Sequence, residues 1–378
     1  MIIFVTLFVL LFTLISPVKA QDCSGDVNTR ISCYESNISK LKDSGKTLSN
    51  QILQFDSSMK LTELKIAQTE EQIGLLVGRI DQLEGSLESL SLAFSGRALE
   101  TYKMARVGDP FLLLLSADNL TEVFTRFSYL KKIQDGDITL LQRLQSAQDT
   151  YKTEKTDQEE LQNKLETQKA QLNTQKLAKK ALLDQTKNDE KKYQTLLTEA
   201  KAQLAALSRF VGSQGGATIL SNQTKCDSWG CYYNQRDSQW GNIGLGGSQY
   251  STANYGCLVN SVSMVASHYG KNIKPNDIAT NPSAFVPNTG YLYHSFSAGG
   301  INFTISKASK SILDGELSAG RPVIAGLYSG PDHFIVILRK EGNNYIMHDP
   351  FLENGSNRPL TDKYNVSDIT SLRLVSFN

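Results

Sequence analysis

The stretch Ile66-Ala67-Gln68-Thr69-Glu70-Glu71-Gln72-Ile73-Gly74-Leu75-Leu76-Val77-Gly78-Arg79-Ile80-Asp81-Gln82-Leu83 carries a seam at 66, 69, 73, 76, 80 and 83, apolar everywhere except Thr69. The alternation of three and four runs outward through Ile38, Leu41, Leu48, Ile52, Phe55 and Met59 on one side, and Leu87, Leu90 and Phe94 on the other. Gly45 and Thr62 fill the remaining places. A seam recurring every 3.5 residues specifies a helix that packs along a partner helix. One helix from Asn37 to about Ala105 would be roughly 100 Å long.

A second charged, proline-free stretch, 128–208, supplies that partner. Its seam holds Leu130, Ile133, Leu144, Tyr151, Leu161, Leu165, Leu172, Leu182, Tyr193, Leu196 and Leu207, and Gln168 and Gln175 interrupt it. Polar seam residues cost stability and help to fix register, so this helix is the more weakly specified. The simplest packing is a long antiparallel α-helical coiled-coil hairpin over 37–208. Gly108-Asp109-Pro110 ends the first helix, and the apolar run Phe111-Leu112-Leu113-Leu114-Leu115 follows. That composition suits a helical tip near 106–127 that buries the hairpin end, and a docking surface is a second use for the same residues.

The physics changes after the hairpin. Gly212-Ser213-Gln214-Gly215-Gly216 reads as part of a flexible linker over 209–225. Both tryptophans lie at 229 and 240, and all four histidines lie beyond 267. Short β-type runs such as Val323-Ile324-Ala325-Gly326-Leu327 and Phe334-Ile335-Val336-Ile337-Leu338 predict one compact α+β domain over 226–378.

The formal net charge is +1, which gives no electrostatic ground for nucleic-acid binding. The apolar run Ile2 to Ile15 is too short to span a bilayer, and Pro17-Val18-Lys19-Ala20 places small residues for cleavage after Ala20. Residues 1–20 are therefore read as a signal peptide. No positive charge follows Met1 ahead of the apolar core, which keeps an uncleaved anchor as the alternative. The protein is expected to be secreted or extracytoplasmic, free or associated with the cell surface.

Five cysteines fit an oxidising compartment. Cys23 with Cys33, inside an N-terminal segment 21–36, and Cys226 with Cys231 make two close pairs, and Cys257 is left over. The alternative for Cys226 and Cys231, a metal site, lacks nearby histidine ligands. Neither a metal nor another cofactor is expected.

Cys257 heads an amphipathic pattern, with Leu258, Val262, Met264, Val265 and Tyr269 on a buried face and Gly270 placed to end the helix. A thiol at a helix start faces the positive end of the dipole and unpaired backbone N–H groups, which favours the nucleophilic thiolate. The blander reading is a small buried hydrophobe. Of the histidines, His268 lies roughly 16 Å along the same helix, too far for proton transfer. His348 and Asp349 are adjacent in a strand and point to opposite faces. His294 sits in an aromatic loop with no carboxylate near it in sequence.

His333 opens an apolar strand whose return strand reaches Asp349. A hairpin centred on Glu341 sets the two opposite one another, whereas a turn at Gly342-Asn343 requires a bulge. In that arrangement His333 shares the thiol proton and Asp349 orients the imidazole, with capping of the strand end as the ordinary alternative for Asp349. An acyl-transfer site also needs a donor for the oxyanion. Composition leaves Gln235, Gln239, Gln249 and Asn254 all open.

Asn234-Gln235-Arg236-Asp237 with Trp240-Gly241, then Tyr255-Gly256-Cys257 with Ser261, then Asp332-His333-Phe334 and finally His348-Asp349-Pro350, resembles the bacteriocin-leader-peptidase-like family of papain-fold cysteine peptidases. The resemblance implies Cys257 as nucleophile, His333 as base, Asp349 as orienting residue and Gln235 as oxyanion donor. The family's best-understood members are cytoplasmic domains of export transporters, so their leader-peptide specificity does not carry over to this chain. The N-terminal helices resemble the coiled-coil part of bacterial cell-wall hydrolases and hydrolase activators. That second resemblance implies a peptide or cell-wall peptide substrate, and a membrane-protein docking partner for the coiled-coil tip. A competing expectation is a non-catalytic coiled-coil scaffold whose papain-like domain binds a peptide without cutting it.

Overall fold

A computed structural model describes residues 23–43, 46–107 and 114–378. The signal-peptide reading at 1–20 and the turn at Pro110 lie outside the described residues. Long N-terminal helices precede a sheet-rich C-terminal domain. The contacts divide the chain into two compact units, residues 62–171 and residues 1–61 with 172–378.

The single first helix expected from Asn37 is in fact two, α1 (Val27–Asp43) and α2 (Leu48–Val107). Thr47 caps the start of α2, its hydroxyl accepting from the Asn50 N–H at 3.2 Å. The second helix also divides, into α3 (Leu120–Thr186) and α4 (Glu190–Ser213). Lys187 and Asn188 adopt positive φ of 50° and 56°, and Asp189 caps α4 by accepting from the Lys192 N–H at 3.1 Å. Asparagine tolerates left-handed backbone and aspartate is a favoured cap, so Asn188-Asp189-Glu190 was the sequence signal for this break.

Within residues 62–171, α2 and α3 run antiparallel, as Arg79 to Glu154 at 2.7 Å and Lys169 to Glu70 at 2.9 Å require. Thr69, Leu76 and Ile80 of the quoted seam are buried there. In the other unit Leu48, Leu182 and Tyr193 form a small core that joins α2, α3 and α4.

The C-terminal domain opens with the hairpin of β1 (Lys225–Cys226) and β2 (Cys231–Tyr232), closed by the Cys226–Cys231 disulfide. Cys23 and Cys33 form the other disulfide. Three helical pieces follow, α5 (Thr252–Tyr255), α6 (Cys257–His268) and α7 (Pro275–Ala279), and α8 (Leu313–Ser318) lies later in the chain. The strands β3 (Ser295–Ala298), β4 (Ile301–Ala308), β5 (Val323–Leu327), β6 (His333–Glu341), β7 (Asn344–His348), β8 (Arg358–Pro359) and β9 (Ile369–Phe377) build one antiparallel sheet, in the order β3-β4-β9-β5-β6-β7-β8.

Strand alternation sorts β6 between two cores. Phe334, Val336 and Leu338 join Val262, Met264 and Val265 of α6, whereas Ile335 and Ile337 join Leu313 and Leu317 of α8. β6 and β7 turn at Gly342-Asn343, with a register shift between Ile337 and Arg339. This is the bulged alternative, and it sets Val336 opposite His348. Among the described residues no helix is long and apolar enough to cross a membrane.

The expected linker at 209–225 begins as ordered helix. Phe210 and Val211 are buried in the α8-side core, and Leu207 is buried in the α6-side core. The glycines set only where α4 ends, because two apolar residues just ahead of them find burial sites on the domain.

Candidate active site

Cys257 is the first residue of α6, and it is free and buried. The turn α5 and Gly256 fix its position. Gly256 donates its N–H to the Thr252 carbonyl at 2.7 Å, and its own carbonyl accepts from Asn260 Nδ2 at 2.8 Å. A Cβ on Gly256 would lie 2.5 Å from the Thr252 oxygen, so the chain needs glycine here to bring the helix start this close.

His333 is the first residue of β6, and its Nε2–H donates to Asp349 Oδ1 at 2.8 Å. With Nε2 so engaged, Nδ1 is the ring nitrogen left for the thiol. Burial alone would push His333 down. The Asp349 carboxylate and the nearby Cys257 sulfur outweigh it, and its pKa is pushed up to about 9. Burial likewise opposes ionisation of Asp349, but the His333 imidazole, the Tyr364 hydroxyl and the Phe351 N–H hold its pKa below the usual carboxylate value. Cys257, His333 and Asp349 thus meet at one place.

Two contributors were not legible beforehand. Tyr364 donates its hydroxyl to Asp349 Oδ2 at 2.7 Å. Its segment carries no catalytic spacing, and only the fold returns it to the strand ends. Phe210, from α4, stacks on the His333 ring with centroids 4.1 Å apart and planes within 5°.

Gln235 is buried, and its Nε2 donates to the Ala253 carbonyl at 2.7 Å while its Oε1 has no partner. Nε2 carries a second hydrogen, and the bond ties this amide to α5, the turn that precedes Cys257. The residues around it have structural work. Asn234 Nδ2 donates to the Leu352 carbonyl at 2.7 Å, Trp240 Nε1 donates to the Asn234 carbonyl at 2.7 Å, and Asp237 Oδ2 accepts from the Gln223 and Thr224 N–H groups at 3.0 and 3.2 Å. Gln239, Gln249 and Asn254 are not among the partners of Cys257, His333 or Asp349.

The other histidines stand apart. His348 Nδ1 accepts from the Asn357 N–H at 3.0 Å, its ring meets Trp229 edge-on, and burial pushes its pKa down to about 4. His268 is half-buried against Trp229, with Nδ1 2.9 Å from the Trp229 carbonyl oxygen. His294 is exposed. No cluster of metal ligands occurs among the described residues.

The site is roofed. Cys257, His333, Asp349 and Gln235 are each no more than 2 % exposed. Leu204 and Leu207 of α4 lie over Tyr255 and Leu258, and the cavity left between them is about 30 Å³. A ligand pocket needs roughly tenfold more. Gln203 Nε2 donates to the Pro331 carbonyl at 2.7 Å, and Arg209 pairs with Asp332 at 3.2 Å, so α4 is fastened to the residues that lead into His333.

Residues 231–368 match the model of the Peptidase_C39 like family. The match begins at the disulfide hairpin and includes Gln235, Cys257, His333, Asp349 and Tyr364. Comparison with curated proteins and with solved structures found no match to the chain.

Proposed function

We propose that the chain is an exported cysteine peptidase, kept latent by its own helix α4, that cleaves a peptide bond through Cys257, His333 and Asp349. The observation that carries the reading is the single imidazole hydrogen-bonded to a buried carboxylate and within electrostatic reach of a free thiol at a helix start. Cys257 Sγ attacks the peptide carbonyl, the Cys257 N–H and the Gln235 amide receive the oxyanion, and His333 passes a proton to the leaving amine. Water, deprotonated by the same imidazole, then releases the acyl group. Asp349 orients His333 and stabilises its charged form.

Two disulfides fit function outside the cytoplasm. A cell-wall peptide as substrate, and docking of the coiled-coil tip on a membrane protein, rest on the resemblance of the stalk alone. The test is digestion of purified cell wall and of a mixed peptide library, read by mass spectrometry. The full-length chain carrying Leu204→Ser and Leu207→Ser, which loosen the roof, is expected to cut, and the same chain with Cys257→Ser is not. Equal product from both, or none from either, counts against the reading and favours a peptide-binding scaffold.

A further inference from the structure

The cavity under α4 has an apolar side and a charged end. Tyr255, Leu258 and Phe334 form the apolar side beneath Leu204 and Leu207. Arg373 forms the other end. It projects from β9, is 8 % exposed, lies over the Phe334 ring at 5.6 Å and donates to the Leu372 carbonyl. Among the described residues it makes no ion pair. A buried guanidinium without a carboxylate is costly, and such groups normally find an anion.

The roof brings a carboxylate to a tyrosine of the same cavity. Tyr291, which lines the same cavity, donates its hydroxyl to Glu199 Oε2 of α4 at 3.1 Å. Glu199 and Arg373 both act electrostatically on Tyr291, with opposite sign. One helix therefore holds a carboxylate on Tyr291, two leucines over the apolar side of the cavity and Phe210 on the His333 imidazole.

We propose that α4 occupies the substrate cleft as a tethered ligand, and that the cleft selects a peptide bearing a carboxylate bound by Arg373 and Tyr291 and a large apolar side chain nearer the cut. This rests on the peptidase reading above and names the substrate class of that site. The helix gives the spacing. Glu199 and Leu207 are eight residues apart, about 12 Å along α4. An extended peptide covers that distance in about four residues at roughly 3.3 Å each. The preferred acidic residue thus stands three to five positions from the scissile bond. Peptides with an amide in its place lose a charge-assisted hydrogen bond, which is worth roughly tenfold in kcat/KM.

The experiment uses the full-length chain with Leu204→Ser and Leu207→Ser and a library of end-blocked peptides, with products sequenced by mass spectrometry. Cleaved peptides are expected to be enriched in Asp or Glu three to five residues from the cut. Adding Arg373→Met should abolish that enrichment, bringing acidic peptides down to the rate of their neutral counterparts in the same variant, and thermal melting of the variant checks its fold. Arg373→Lys, which keeps the charge, should restore part of the preference. Cleavage without acidic enrichment, or an equal loss on all peptides in the folded Arg373→Met chain, overturns the inference and leaves the peptidase intact. No cleavage of any peptide, with Cys257 also inert to an alkylating reagent, overturns both.

Discussion

In the proposed peptidase, Cys257, His333 and Asp349 take their roles from their surroundings rather than from their identities. The thiol gains its position from a glycine too crowded to replace, the imidazole its charge from a buried carboxylate, and the carboxylate its fixed rotamer from Tyr364 and the Phe351 N–H. Asp349→Asn should lower kcat/KM by about two to four orders of magnitude, because the asparagine cannot hold the charged imidazole. Tyr364→Phe should cost only a few-fold, as one hydrogen bond to a carboxylate that keeps its other partners. His333 also sets the pH dependence. Its pKa, raised to about 9, means that the proton donor for the leaving amine persists to mildly alkaline pH. Activity should fall as pH rises through about 9, and an alkaline limb near the ordinary histidine value would contradict this. Stability follows the same sign. The raised folded-state pKa contributes fully below the unfolded value of about 6.5, and the contribution is lost as pH rises from there through about 9. Sequence held Cys257, His333 and Asp349 because each sits at a recognisable place in a helix or strand. It held Gln235 only through family resemblance, and it gave no sign of Tyr364.

Among the elements, α4 is where sequence and structure part most. Of its seam residues, Tyr193 stays in a core between helices with Leu48 and Leu182, whereas past the break at Lys187-Asn188 Leu207 packs onto the domain. A heptad pattern reports that a face is buried and not by what, so the roof over the thiol was invisible before the fold was known. The β6–β7 hairpin was readable as one of two alternatives, and its bulge is what lets Asp349 reach His333. If α4 is the restraint, Leu204→Ser with Leu207→Ser should raise the rate at which iodoacetamide alkylates Cys257 in the folded chain by tenfold or more. An unchanged rate would mean that the thiol is reached by another route. Gly256→Ala tests the opposite end of the site. Its methyl group collides with the Thr252 carbonyl, and urea denaturation should show a loss of about 1–3 kcal/mol.

For the molecule as a whole, the division between a helical N-terminal region and a sheet-rich C-terminal domain was legible from periodicity and from where the histidines and tryptophans lie. The interruptions at 46–47 and 187–189 were not, because a short break leaves the seam register almost intact on either side. The same chain thus supplies both the domain that matches a peptidase family and a helix packed on it, with residues 172–213 belonging to the compact unit of the domain. The most direct test of the central claim is the rate at which an electrophilic peptide labels Cys257 at neutral pH, read by intact mass and site mapping in the Leu204→Ser, Leu207→Ser chain with and without His333→Ala. The account predicts that removing the imidazole slows labelling by roughly a hundredfold or more. Equal rates would show a thiol that no histidine activates.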